Sequence, residues 1–253
     1  MDEQVYVYKG GRASPPRDAR RHPYQLIVVD PSVSEIAPWG LVDVIATEVN
    51  AHLGVTTVGF MAFNECGSRM KRAFLPGLRV LEYGVFSACP GLEDAEFGEA
   101  LESITRMREQ YRSWSPFALC SNLRRIKIPL KANLFNVDDE IFRDCHNLVT
   151  VDLAGNIRNI VSCLHFDHWK VEMNNEIGRI NLVLPSIDAS DKTRAIHEWI
   201  QTVLRRINAF KTLHRSLLSE EVTPLLYEAV QTSVGPVSDD IIATIMSYLS
   251  ILD

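Results

Sequence analysis

The residues of this chain best suited to chemistry are its five cysteines, at positions 66, 89, 120, 145 and 163 of 253. Thiols can bind zinc, but structural zinc sites draw ligands from short pairs such as Cys-x-x-Cys, and these cysteines form no such pair. A zinc site made from Cys163, His165 and His168, with or without Cys145, is the one metal-binding alternative. Because His-x-x-His alone is an unspecific pattern, we expect no metal and no cofactor.

Motifs for catalysis are absent from the sequence. It contains no Walker loop, Gly-x-Gly-x-x-Gly, Gly-x-Ser-x-Gly or His-Glu-x-x-His. The adjacent carboxylates Asp138-Asp139 and Glu220-Glu221 lie in polar, turn-like stretches, where solvated charge explains them. We therefore expect a protein that is not an enzyme. An enzyme with a site assembled from residues distant in sequence is the third of our functional alternatives.

Charge and apolar content restrict the partners of the chain. Its 26 Lys and Arg against 32 Asp and Glu give a formal charge of −6, and 46% of the residues are hydrophobic. This composition supplies a buried core and no global attraction to nucleic acid or anionic lipid. There is no apolar run of signal-peptide length or of the ~20 residues that span a bilayer. We expect an intracellular, cytoplasmic protein that binds neither nucleic acid nor membrane.

Four of the cysteines share one place in a repeated pattern, Phe-x-x-Cys-x-x-Leu-x-x-apolar-x-apolar. The pattern begins at Phe86, Phe117 and Phe142, and begins at Phe63 in a copy that slips by one residue. The phenylalanine spacings of 86 − 63 = 23, 117 − 86 = 31 and 142 − 117 = 25 residues fall around the period of leucine-rich repeats, about 20–29 residues. Two apolar residues three apart precede most of the rings, namely Val55 and Val58, Leu78 and Leu81, and Leu134 and Val137.

The pattern resembles the BspA-type leucine-rich repeat, in which Ala-Phe-x-x-Cys-x-x-Leu precedes a strand of the form x-x-Ile-x-Ile-Pro. Ala62-Phe63-x-x-Cys66 and Ile126-x-Ile128-Pro129 match it closely, whereas the second copy has Val85 for the alanine and Gly98 for the proline. The resemblance implies a non-catalytic adhesion or protein-interaction module. The segment LPSIDASDKTRAIHEWIQTVLRR is also similar to the helical C-terminal segment of BspA-type proteins from single-celled photosynthetic eukaryotes.

We expect an α+β fold, a short leucine-rich-repeat solenoid with a parallel β-ladder that a C-terminal α-helical region caps. Its parts are an N-terminal arm over residues 1–22, the repeats over residues 23–165 and the helical region over residues 166–253. An atypical repeat opens the solenoid, with Trp39 and Leu41 in the place of the phenylalanine. The arginines of the arm either bind an anion or, as we prefer, are solvated; they are Arg12, Arg17, Arg20 and Arg21.

The repeats predict the core and the outer face of the solenoid. The four phenylalanines should form one buried stack beside a ladder of reduced cysteines, Cys66, Cys89, Cys120 and Cys145. Because strand side chains alternate between faces, the inward residues are Ala95, Phe97, Ile126, Ile128, Val151 and Leu153. The outward residues should form two rows: Arg72, Asp94, Arg125 and Thr150 in one, and Phe74, Glu96, Lys127 and Asp152 in the other.

Charges in these rows alternate in sign, so we expect Asp94 to pair with Arg72 or Arg125 and Glu96 to pair with Lys127. Each cross-strand pair contributes about 0.2–1 kcal/mol. A face that neutralises its own charge is a poor phosphate-binding surface.

From about Trp169 the apolar period changes to that of helices. Met173, Ile177, Ile180 and Val183 form one stripe, and a longer helix should begin near its N-cap at Ser190. Its predicted apolar face contains Ile196, Trp199, Ile200, Val203, Ile207, Phe210 and Leu217. We expect these helices to pack on the last repeat; a coiled-coil pairing with a second protein is the alternative.

The segment VSDDIIATIMSYLS, near the C-terminus, resembles the first helix of an F-box. An F-box lies N-terminal to its repeats and continues for several more helices, whereas this sequence ends at Asp253. An F-box-like ubiquitin-ligase substrate adaptor is therefore the second functional alternative. An amphipathic helix that docks on its own protein is the interpretation that we prefer.

One repeat contains an insertion. Ile104 precedes its ring by 117 − 104 = 13 residues, whereas Val58, Leu81 and Val137 precede theirs by 5, so eight residues are added. Insertions in solenoids emerge as loops on one face, which is often the binding face, so we expect a loop here. The stretch TRMREQYRSWS contains residue types that are enriched at interface hot spots, and we assign partner binding to Arg106, Arg108, Tyr111, Arg112 and Trp114. The alternative is that Tyr111 and Trp114 pack on the flank of the solenoid.

Overall fold

The computed structural model describes residues 5–13, 24–42, 44–65, 68–105, 107–109, 112–155, 161 and 167–217. Its larger sheet contains seven parallel strands, Val5–Tyr8 (β1), Tyr24–Val29 (β2), Ala46–Asn50 (β4), Arg72–Leu75 (β6), Asp94–Phe97 (β8), Arg125–Pro129 (β12) and Thr150–Ala154 (β13). They pair in chain order, each with the strand of the next repeat. This is the parallel β-ladder of a leucine-rich-repeat solenoid, and the predicted α+β fold is confirmed.

A second parallel sheet contains four strands of two residues each, Glu35–Ile36 (β3), Thr57–Val58 (β5), Val80–Leu81 (β7) and Ser103–Ile104 (β9). Ile36, Val58, Leu81 and Ile104 are its buried members. These strands contain the upstream apolar residues of the repeat, so the predicted second element is present. Its pairing into a sheet was not predicted, because two-residue strands are too short for an alternating pattern.

The four phenylalanine rings lie between the sheets in one buried stack, as predicted. The ring centroids of Phe63 and Phe86 are 5.2 Å apart, those of Phe86 and Phe117 are 5.9 Å apart, and those of Phe117 and Phe142 are 5.7 Å apart. All four side chains have no solvent exposure. In the first repeat Leu41 alone takes the place of the ring, since its N–H donates to the next turn at 2.9 Å. Trp39 is 37% exposed, so its predicted role in that place was wrong.

The outward rows have the predicted register. Arg72, Asp94, Arg125 and Thr150 are neighbours across β6, β8, β12 and β13, and Phe74, Glu96, Lys127 and Asp152 form the second row. Arg125 pairs with Asp94 at 2.9 Å, and Lys127 pairs with Glu96 at 3.5 Å. Arg72 pairs with Glu48 of the preceding strand, at 3.3 Å.

One inward residue differs from expectation. Leu153 is half-buried, whereas Val151 and Ala154 are the buried residues of β13. The alternation weakens here because, among the described residues, β13 is the last strand of the sheet and has a strand on one side only.

Strand β1 lies within residues 1–22, where we expected an arm, and it pairs in parallel with β2. The hydroxyl of Tyr8 in this strand donates to the carbonyl of Gly11 at 2.6 Å and accepts from the N–H of Ala37 at 3.0 Å. Arg17, Arg20 and Arg21 lie outside the described residues. The three domain ranges remain predictions.

In the described range 167–217, two α-helices follow the repeats, Asp167–Val183 (α1) and Lys192–Leu217 (α2), with short 3₁₀ turns at Leu184–Ser186 and Ala189–Asp191 between them. In α1, Met173 and Ile180 are buried and Ile177 and Val183 are half-buried. The predicted apolar face of α2 is buried from Ile196 to Phe210. Ser190 is not the N-cap that we expected, because it lies inside the 3₁₀ turn that leads into α2.

The chain divides into two compact units. One contains residues 1–155 and 178–201, and the other contains residues 156–177 and 202–253. Within the second unit the rings of Trp169 and Phe210 are 5.1 Å apart, and Arg206 forms ion pairs with Glu172 and Glu176. Within the first unit, residues 178–201 contact the last repeat.

The hydroxyl of Thr193 accepts a hydrogen bond that a main-chain carbonyl accepts in earlier repeats. The N–H of a ring residue normally donates to the carbonyl that precedes the next ring, as Phe86 does to Pro116 at 2.9 Å. Phe142 is the last ring, and its N–H instead donates to the hydroxyl of Thr193 at 3.0 Å. Both residues are buried, so water cannot take this role.

Two other side chains satisfy the backbone of the last repeat. The side-chain oxygen of Asn181 accepts from the N–H of Val151 in β13 at 2.8 Å. The ammonium group of Lys192 donates to the carbonyls of His146 and Leu148 at 2.9 and 2.6 Å. Burial of this lysine lowers its pKa. Side chains that follow the repeats therefore satisfy specific backbone groups of the last repeat.

Candidate partner-binding site

The insertion forms a β-hairpin where we expected a loop. Met107–Glu109 (β10) and Arg112–Trp114 (β11) pair in antiparallel fashion, with Met107 opposite Trp114 and Glu109 opposite Arg112. Together they form a separate two-stranded sheet. A hairpin of its own gives the inserted residues a defined backbone instead of an irregular one.

The insertion leaves the ladders on either side intact. Asp94 in β8 still lies opposite Arg125 in β12, and the rings of Phe86 and Phe117 are only 7° from parallel. Ile104, just before the hairpin, is buried, and its N–H donates to the carbonyl of Leu134 at 2.6 Å. The repeats on either side of the insertion thus keep their strand pairing and ring stacking.

Ser115 joins the hairpin to the core. Residues two before the ring position are left-handed in other repeats, such as Met61 at φ 52° and Glu140 at φ 48°, but Ser115 is not. Its hydroxyl accepts from the N–H of Phe117 at 3.2 Å and donates to the carbonyl of Ile141 at 2.6 Å. The hydroxyl thereby bridges two turns where a direct main-chain bond would otherwise form.

The structure places three of the five predicted partner-binding residues on the hairpin. Arg108 lies in β10, and Arg112 and Trp114 lie in β11. Arg106 and Tyr111 lie outside the described residues. The assignment of these five residues to partner binding remains a prediction.

A row of aromatic residues that was not predicted from the sequence lies on the turns before the insertion. The rings of Trp39 and Phe60 are 6.1 Å apart, and those of Phe60 and Tyr83 are 5.5 Å apart. Phe60 and Tyr83 are half-buried and each precedes the core ring of its repeat by three residues, as Trp114 precedes Phe117. That shared spacing was the available signal. The repeats therefore present aromatic residues up to the base of the hairpin.

The outer face around Arg125 is already occupied by charge pairs. The guanidinium group donates to Asp94 at 2.9 Å, to Glu96 at 2.5 Å and to Asp152 at 2.6 Å. Partial burial works against the charge of Arg125, but these carboxylates hold its pKa above the ordinary value. A cation surrounded in this way is not available to an external anion.

The described cysteines hold consecutive repeats together. Their thiols donate to the carbonyl of the ring residue one repeat earlier: Cys89 to Phe63 at 3.0 Å, Cys120 to Phe86 at 3.1 Å and Cys145 to Phe117 at 3.8 Å. All three are free and buried, which confirms this part of the predicted ladder. Burial raises the pKa of Cys120 and of Cys145, so these thiols are poor nucleophiles.

Other predicted features lie partly outside the described residues. Cys66, Cys163, His165 and the F-box-like segment are among them, whereas His168 lies in α1. Within the described ranges, no three His, Cys, Asp or Glu side chains are grouped as a metal ion would require. No helix in those ranges combines the length and apolarity needed to cross a membrane.

Comparison with a family of known sequences agrees with the repeat architecture. Residues 28–108 and 45–172 match the sequence profile described as a BspA type leucine rich repeat region of six copies. No curated protein matches the chain. A leucine rich cell surface protein from Faecalibacterium prausnitzii A2-165 is 20% identical with a TM-score of 0.44, and the match covers 53% of this chain and 33% of that one. A T. pallidum leucine rich repeat protein is 18% identical with a TM-score of 0.34, and the match covers 57% of this chain and 87% of that one.

Proposed function

Because the chain belongs to the BspA type leucine rich repeat family, we propose that it is a non-catalytic protein-protein interaction module whose principal partner contact is the insertion hairpin. One observation carries the proposal: β10 and β11 form a sheet of their own, while the repeats on both sides keep their register. A segment that the core does not need for its ladders is free to contact another protein.

The residue types of the hairpin support the same proposal. Trp, Tyr and Arg supply most of the large energetic contributions at protein interfaces. The insertion contains Trp114, Tyr111 and three arginines within nine residues, from position 106 to 114. The aromatic row from Trp39 to Tyr83 would extend the contact along the preceding turns.

We also propose that residues 178–201 act as a cap. The hydrogen bonds of Asn181, Lys192 and Thr193 to the last repeat support this role, because an uncovered sheet edge is a template for unwanted pairing. A cap of this kind leaves the solenoid to act as a scaffold for the hairpin.

The proposal is tested by capturing partners with the full chain and with the triple variant Tyr111→Ala, Arg112→Ala, Trp114→Ala. We expect the triple variant to lose the dominant partner while its melting temperature stays nearly unchanged. Loss of binding together with a large fall in melting temperature would show instead that these side chains serve the fold.

A matched control is the triple variant Arg79→Ala, Leu119→Ala, Arg143→Ala. These three residues are similarly exposed, at 60%, 60% and 62%. They lie in the repeats but outside the insertion hairpin. The control should retain the partner. Recovery of ubiquitin-ligase subunits by all three proteins alike would favour the adaptor alternative over the hairpin.

A further inference from the structure

The N-terminal edge of the larger sheet differs from its C-terminal edge. Side chains of residues 178–201 bond to the last repeat, but among the described residues no strand lies beyond β1. Val5 and Val7 in β1 are 41% and 46% exposed. Their neighbours in register are Leu26 and Val28 of β2, which are half-buried. The outer face is therefore apolar at this end.

The backbone groups of β1 that point away from β2 belong to the same two valines. The N–H of Asp30 in the chain after β2 donates to the carbonyl of Tyr8 at 2.9 Å, so the backbone of Tyr8 bonds towards β2. Successive residues of a strand direct their N–H and C=O groups to alternate sides, so Tyr6 also bonds towards β2. Val5 and Val7 direct theirs to the outer edge.

Within the described residues, β1 itself carries none of the sequence features that usually prevent edge strands from pairing. Protected edge strands carry an inward-pointing charge, a lysine, a proline or a bulge. The sequence of β1 is VYVY, and its register with β2 runs without a bulge. It combines hydrogen-bonding groups that point away from β2 with exposed β-branched side chains.

We propose that β1 pairs with β1 of a second copy of the chain in antiparallel fashion about a two-fold axis. Two-fold contacts are the commonest in homo-oligomers, and they pair a surface with itself. Centring the axis on Tyr6 places Val5 opposite Val7 of the second copy, so that each pair exchanges two main-chain hydrogen bonds. The four valines then form one apolar cluster that continues the rows of Leu26 and Val28.

The chemistry of the strand favours a second copy as its occupant. The alternation of β1 is the same in either direction, so an antiparallel copy meets valine with valine on one face and tyrosine with tyrosine on the other. A four-residue strand forms a small contact compared with stable interfaces, which bury about 1,200–2,000 Å². We therefore expect a dimer that dissociates on dilution.

The test is sedimentation of the full chain over a concentration series. The wild type should rise from 28.6 kDa towards twice that mass. Val7→Pro removes only an outward N–H, and Val7→Lys adds a charge to the edge; both should stay monomeric. Phe74→Lys is the matched control, because Phe74 is 41% exposed on the same face but lies in β6, away from the edge. It should dimerise as the wild type does.

Amide hydrogen exchange identifies the contact directly. Exchange at Val5 and Val7 of the wild type should slow as concentration rises, whereas exchange at both valines in Val7→Lys should not change. A wild type that is monomeric throughout would overturn the proposal. So would Val7 variants that dimerise normally, or a Phe74→Lys variant that loses the dimer as Val7→Lys does.

Discussion

Replacing Thr193 by Val removes one hydrogen-bond acceptor from the last repeat and little else. Thr193 is 1% exposed and Phe142 is fully buried, and the N–H of Phe142 donates to the threonine hydroxyl at 3.0 Å. Valine has nearly the same shape but accepts no hydrogen bond. A buried N–H without an acceptor destabilises a protein by about 1–3 kcal/mol. Because an extra buried methyl group returns ~0.8 kcal/mol, we expect a net loss of about 0.2–2.2 kcal/mol.

The assay is urea unfolding of the full chain together with amide exchange at Phe142. Thr193→Ser keeps the hydroxyl and loses a methyl group, which costs about 0.5–1.5 kcal/mol, so unfolding free energy alone does not separate the two variants. Exchange at Phe142 does: it should stay slow in Thr193→Ser and become faster in Thr193→Val. Thr212→Val, at an exposed position of α2, should change stability by less than about 0.5 kcal/mol.

The outcome that would refute this reasoning is a Thr193→Val variant with wild-type unfolding free energy and wild-type exchange at Phe142. It would mean that another group satisfies this N–H. The helical segment would then not terminate the ladder in the way that the hydrogen bond indicates.

Two further predictions concern the core. Phe117→Ala should lower the unfolding free energy by about 3–5 kcal/mol in urea titrations, because the ring is fully buried between Phe86 and Phe142; a loss below about 1 kcal/mol would contradict the stack. The free energy of unfolding should also fall as the pH rises above about 9, the ordinary thiol pKa. Burial raises the pKa of Cys120 and of Cys145 in the folded chain. Above that pH the unfolded chain therefore holds fewer protons than the folded chain, which favours unfolding. Each thiol contributes about 1.4 kcal/mol per pH unit, so Cys145→Ala should show a shallower decline than the wild type, and equal slopes would refute the assignment. Lys192, with its lowered pKa, works in the opposite direction in both proteins below about 10.5, its ordinary value.

The repeated pattern predicted those features that depend on local periodicity. The spacing from Phe86 to Phe97 contains both the ring and the strand, so the stack, the thiol positions and the outward rows all follow from one repeat. The pairing of Asp94 with Arg125 followed from the same alignment.

Features that depend on contacts between distant segments could not be predicted in this way. The role of Thr193 depends on Phe142, 51 residues earlier in the chain. The helical period predicts that Thr193 lies in a helix, but it does not predict which backbone group its hydroxyl contacts. Strand β1 was missed because four residues beside a glycine- and arginine-rich segment give little pattern.

The sequence predicted where the candidate site lies along the chain, but it did not predict the secondary structure of the site. The excess of eight residues located the insertion, yet length alone does not distinguish a loop from the hairpin of β10 and β11. The aromatic row could have been predicted by comparing the residues three positions before each core ring. That position carries Phe60, Tyr83 and Trp114 in three consecutive repeats.

The most direct test of the central claim is capture of partner protein by a chain that lacks Met107–Trp114. Removing these eight residues restores the spacing of 5 residues between Ile104 and Phe117 that the other repeats have, so the solenoid should still fold. We predict that the shortened chain keeps a cooperative thermal transition and retains none of the dominant partner that the full chain captures. Capture of the same partner in the same amount by the shortened chain would contradict the claim that the hairpin is the principal contact.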